Sequence, residues 1–174
     1  ELSLSETNAV LLLGDEVWLK AEYTASGDAM PEWKSSNPAV ASVDANGKVV
    51  ALMEGNATIT VSYLDKKATC EVEVTRNGLL PTLYTEGLNE DAVSVSMTDT
   101  LNVMPTVFFN DKTFTDGEWK YSLSDSTVGM VENGEFKPLK VGTTTLTIMG
   151  KWRGVEGSTL TKVVEITVID SISV

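Results

Sequence analysis

The 174-residue chain contains no histidine. Its absence removes the commonest general base, proton shuttle and nitrogen metal ligand at neutral pH, so Ser-His-Asp chemistry and His-based zinc sites are excluded. There is one cysteine, Cys70, so no disulfide can close within the chain. In Thr69-Cys70-Glu71-Val72-Glu73-Val74 the thiol shares strand parity with the valines and is expected to be a small buried apolar group rather than a nucleophile. Basic residues are also scarce: 13 against 25 acidic ones, a formal charge of −12 and a pI near 4.3. That balance argues against nucleic acid and anionic lipid as partners. Long apolar runs are missing as well. Val10-Leu11-Leu12-Leu13 stops at Gly14-Asp15, far short of the ~20 residues a spanning helix needs, so no membrane insertion by this segment is expected. No sustained helical period occurs anywhere, and Ala57-Thr58-Ile59-Thr60-Val61-Ser62-Tyr63 alternates like a strand wet on one side.

What the chain does contain, it contains twice. Glu32-Trp33-Lys34-Ser35-Ser36-Asn37-Pro38-Ala39-Val40-Ala41-Ser42-Val43 leads through Asp44-Ala45-Asn46-Gly47 to Gly55. A second run starts at Glu118-Trp119-Lys120 and passes Val128, Val131, Asn133-Gly134 and Gly142-Thr143-Thr144-Thr145-Leu146. Trp119 follows Trp33 by 119 − 33 = 86 residues, Val131 follows Val43 by 131 − 43 = 88, and Gly142 follows Gly55 by 142 − 55 = 87. Repetition at fixed spacing means that one fold is solved twice. Turn-forming Thr75-Arg76-Asn77-Gly78 supplies the boundary, giving domains 1–76 and 77–174. Each is expected to open on a split first strand, Leu2 to Leu4 with Val10 to Leu13 and Leu79 to Tyr84 with Val93 to Met97. A linker this short predicts an elongated, end-to-end pair.

Within the first copy, Val17, Leu19, Ala21 and Tyr23 share one face of a strand and leave Trp18 on the other. Trp33 is the expected core residue, because burying an indole removes on the order of 150–250 Å² from water. Asn46-Gly47 supplies the positive φ that a tight hairpin turn requires.

The run from Trp33 to Thr60 resembles the bacterial immunoglobulin-like domain of group 2, the module of invasin- and intimin-type surface proteins. The resemblance rests on Trp, Ser-Ser-Asn-Pro, Val-Ala-x-Val-Asp, x-x-Gly-Lys-Val and Gly-x-Ala-x-Ile-Thr, in that order. The second copy departs from it: Asn37-Pro38 becomes Asp125-Ser126, Ala41 becomes Gly129 and Lys48-Val49 becomes Glu135-Phe136. The resemblance implies two tandem Ig-like Greek-key β-sandwiches placed at the cell surface, with the signal and anchor outside this chain. It also implies a role in adhesion or as a spacer, and carries over no catalytic residue. Ile169-Asp170-Ser171-Ile172-Ser173-Val174 echoes the start of a further module, as in a fragment of a longer protein.

Specific function is expected where the copies differ. Trp18, whose counterpart is Asn102, and Trp152 with Arg153 on the inserted hairpin from Gly150 to Gly157 are the candidate ligand-binding residues. Exposed aromatics stack sugar rings, so an envelope carbohydrate-binding protein is the alternative to an adhesive or spacer module. Met104 and Phe108 share the outward phase of their strand and are candidate interface residues. The turn aspartates show no Asp-x-Asp-x-Asp spacing, so neither metal nor other cofactor is expected. The reading is a non-enzymatic monomer whose partner is a host or bacterial surface protein or a glycan.

Overall fold

Strands account for the regular structure throughout, as the period-two alternation requires. The computed structural model describes residues 1–85, 88, 91–153 and 159–170. Two compact units divide between Leu80 and Pro81, four residues beyond the boundary read from the turn sequence. Among the described residues no helix is long and apolar enough to cross a membrane.

In the first unit the opening strand is split. Its first part, β1 (Leu2–Leu4), runs antiparallel to β4 (Ala21–Tyr23). Its second part, β2 (Asn8–Leu12), runs parallel to β9 (Lys66–Thr75). One sheet has the order β2, β9, β8 (Gly55–Tyr63), β5 (Glu32–Ser35); the other has β3 (Glu16–Trp18), β7 (Lys48–Ala51), β6 (Ala41–Val43). Such non-sequential neighbours are the Greek-key crossing of an Ig-like sandwich. The buried residues Ile59, Val61, Cys70 and Val72 of one sheet and Leu19, Ala41, Val49 and Ala51 around the other fill the core. Full burial of each large apolar side chain among them contributes roughly 1.5–3 kcal/mol.

The segment expected to run unbroken from Val17 to Tyr23 is two strands. At Leu19 and Lys20 it changes partner, from β7 to β1. Leu19 donates its N–H to Gly47 O at 2.9 Å, and Lys20 donates to Ser5 Oγ at 3.0 Å while Ser5 donates back to Lys20 O. Turn chemistry follows the sequence closely. Asp44 Oδ1 accepts from Asn46 N (2.8 Å) and Lys48 N (2.9 Å), which lowers the carboxyl below its usual range, and Gly47 turns the hairpin at φ +84°. A Cβ at Gly47 would come within 2.4 Å of Leu19 O and 2.8 Å of the Trp33 ring.

The second unit has the same strand order. Its sheets are β11 (Ala92–Ser96), β19 (Thr159–Ile169), β18 (Gly142–Lys151), β15 (Glu118–Leu123) and β12 (Leu101–Asn102), β17 (Glu135–Pro138), β16 (Gly129–Glu132). A third sheet, β10 (Thr82–Thr85), β13 (Pro105–Phe109), β14 (Lys112–Phe114), contains an addition. The strand β14 has no counterpart in the first unit; Asn110 and Asp111, at φ 53° and 55°, fold it back on β13.

Register corrects the match between the two tryptophans. Gly55 and Gly142 both open their strands opposite a core valine, Val74 and Val168. Six residues on, Val61 pairs with Trp33 and Ile148 pairs with Tyr121. Tyr121, not Trp119, therefore occupies the place of Trp33, and burial pushes its phenol up. Trp119 pairs with Gly150, the counterpart of Tyr63. The shift is two residues, so side-chain parity is preserved and the sequence alignment looks sound on either register. The indole of Trp119 fills the space over Gly150, where a Cβ would approach its ring to 2.6 Å.

Candidate binding site

The strand switch in the first unit opens a groove. Because the chain leaves β7 at Leu19, the β6–β7 hairpin tip at Ala45 and Asn46 stands beside the start of β5. A depression of about 460 Å³ results, lined by Trp18, Lys20, Tyr23, Met30, Trp33 and Asn46 among others. Trp18 is 60% exposed, as the parity of its strand required, and Met30 on the rim is 75% exposed. Trp33 is half-buried rather than enclosed, because one edge of its ring forms the groove wall while the other packs on Gly47.

Each aromatic is held in place. The Tyr23 ring packs on Tyr63 with centroids 4.4 Å apart, and Tyr63 Oη accepts from Ser26 N at 2.7 Å. Lys48 Nζ lies 5.8 Å from the Trp18 ring centroid and 3.1 Å from Glu16, so the exposed indole has a cation on its own strand pair. None of the lining residues is acidic, in a chain with 25 acidic side chains.

The second cluster behaves otherwise. Trp152, expected to offer its ring to a ligand, is 1% exposed and ranks among the largest fully buried side chains. It packs against Phe114 (4.9 Å between centroids) and Phe109 (5.9 Å), both brought to it by the added β13–β14 hairpin. Arg153 lies over Phe114 at 4.5 Å and over Trp152 at 5.2 Å. Its Nε donates to Asp116 Oδ2 at 3.0 Å, and Trp152 Nε1 donates to Asp116 Oδ1 at 3.4 Å. Trp152 and Arg153 thus form a packed corner of the second unit, with the cation–π arrangement in place of an open platform. The rest of the inserted hairpin, from Gly154 to Gly157, and the terminal echo from Ser171 to Val174 lie outside the described residues.

Asp116 carries a pH signature. Burial raises its carboxyl, but the Arg153 hydrogen bond and charge, with the Trp152 N–H, outweigh burial and hold it below its ordinary 3.8. A carboxyl depressed in the folded state contributes stability that is complete above the unfolded value and lost as pH falls through the folded one. Acid unfolding followed by circular dichroism should show the wild type more stable than Asp116→Asn by a constant margin above about pH 4, with the margin closing as pH falls below that.

Met104 and Phe108 are 51% and 42% exposed, on the outward phase expected for them. The Met104 chain lies along the turn at Gly134, where a Cβ would meet its Cε at 2.9 Å, and Met104 N donates to Asn102 Oδ1 at 2.9 Å. Cys70 is fully buried, and burial, with Glu6 and Glu71, pushes the thiol up, away from the thiolate that reactivity needs. Among the described residues no group of three or more His, Cys, Asp or Glu side chains is placed to hold a metal. The groove itself escaped the sequence, because Trp33, Met30 and Asn46 reach Trp18 only through the partner switch at Leu19.

An all-β architecture of Ig-like sandwiches, with a pre-formed aromatic groove and packed turns, places the chain among modular β-sandwich proteins. Residues 1–75, nearly the whole first unit, match the family model described as Bacterial Ig-like domain (group 2). An uncharacterized protein of Clostridium acetobutylicum is 31% identical over 156 residues, covering 84% of this chain. An S-layer-related protein of Niallia circulans is 41% identical over 58 residues, covering 32% of this chain. The chain spans 15% of the first relative's length and 4% of the second's. Among solved structures, domains 4 and 5 of the S-layer protein SbsC are similar at 19% identity and a TM-score of 0.44, covering 97% of this chain and 98% of that one.

Proposed function

We propose that the chain is a non-enzymatic structural segment of a bacterial cell-surface protein, made of two Ig-like modules of which the second is a divergent copy of the first. The observation that carries this reading is the group 2 bacterial Ig-like match over residues 1–75. The S-layer-related relative supports the surface location, and the shared strand order supports a second copy. Its role is to space other parts of a long protein away from the envelope or to contribute to adhesion. Antibodies raised against the chain should label intact producing cells, and mild protease treatment of those cells should remove the signal. Labelling that requires lysis would overturn the surface assignment.

A further inference from the structure

We infer that the groove of the first unit is a binding site for a neutral oligosaccharide, with Trp18 as its stacking platform. The volume, about 460 Å³, falls within the roughly 300–1,000 Å³ of small-ligand sites, in an open depression that suits a sugar laid along the surface. A pyranose ring presents an apolar C–H face and a rim of hydroxyls. Such a ring suits an exposed indole face beside donors and acceptors, here Lys20 and Asn46, with Tyr23 and Trp33 as apolar walls.

Three further observations favour a ligand over incidental exposure. First, the fold does not need an indole at this place. The pairings Val17 with Val49 and Leu101 with Phe136 put Asn102 where the first unit has Trp18, and the second unit folds with it. Second, two wall residues are packed on the fold without a ligand, through the Tyr23–Tyr63 contact and the seat of Trp33 on Gly47, which lessens the side-chain ordering that binding requires. Third, the charge selects the class of sugar. A net charge of −12 repels acidic polysaccharides at long range, while the one charged side chain of the groove lining, Lys20, is 78% exposed and stays in water beside an uncharged ring.

The test uses the full chain with cellohexaose, xylohexaose, mannohexaose and chitohexaose as neutral probes and a heparin hexasaccharide as the anionic control. Calorimetry should detect millimolar or tighter binding of at least one neutral probe and none of the heparin fragment. The same probe should shift tryptophan emission to the blue and protect it from acrylamide quenching, since Trp18 is the exposed indole. Trp18→Asn imports the residue that the second unit carries, so it should keep the wild-type circular dichroism and melting temperature while weakening binding by about tenfold or more. Lys20→Ala provides a second variant at the polar rim, with a smaller loss. Silence across all four neutral probes, tighter binding of heparin, or binding untouched by both substitutions would overturn the assignment. None of these outcomes would alter cell-surface labelling, so the two readings fail separately.

Discussion

Trp152→Ala should destabilise the second unit by about 3–5 kcal/mol, the range for emptying a buried aromatic site. The indole is 1% exposed and meets the β13–β14 hairpin, which supplies Phe109 and Phe114, just beyond the end of β18 at Lys151. Truncation leaves a cavity between two phenylalanines and removes the surface over which the Arg153 guanidinium lies. Asp116 then retains Arg153 but loses the indole N–H. For a unit of this size the melting temperature should fall by more than about 10 °C. Hydrogen exchange should localise the damage, with amides of β13, β14 and the end of β18 exchanging faster and those of β8 and β9 unchanged. If the chain instead kept its stability and lost a ligand, Trp152 would be a binding residue after all.

Gly129→Ala should cost about 1–3 kcal/mol, and Phe136→Val added to it should recover much of the loss. The two sites are places where the second unit departs from the first. In the first unit Ala41 and Val49 lie on facing strands β6 and β7; in the second, Gly129 and Phe136 lie on β16 and β17 in the same register. Phe136 is fully buried, and a Cβ at Gly129 would come within 2.2 Å of its ring. The larger aromatic therefore requires the smaller neighbour. Restoring the Ala and Val of the first unit as a pair should be far less harmful than the single Ala, a coupling that a double-mutant cycle on urea midpoints measures directly. Additive losses would show that the two departures are independent.

A pair of this kind makes the second unit read as a weak match to the first, residue by residue. Position-by-position comparison counts Gly129 and Phe136 as two failures, whereas in space they are one compensated change. Period-two patterns were legible: Cys70, Val72 and Val74 are inward, Trp18 is outward, and the split first strand recurs in both units. Turns built from Asn-Gly and Asp were legible because their chemistry is local. The placement of Trp119 was not, since a two-residue slip changes no side-chain face. Nor was the burial of Trp152, whose partners Phe109, Phe114 and Asp116 come from the preceding hairpin region and meet it only once β14 folds back.

One feature of the pairing bears on how such a module would behave under load. In each unit the first sheet ends with its opening strand parallel to its closing strand, Asn8–Leu12 beside Glu71–Thr75 and Ala92–Ser96 beside Glu165–Ile169. Tension applied to the two ends of a unit draws these neighbours past one another along their length. The hydrogen bonds between them are then strained together instead of opening one at a time, as they would in a hairpin peeled from its end. Each unit is thereby wired to resist traction along the chain, independently of how firmly its core resists heat or denaturant.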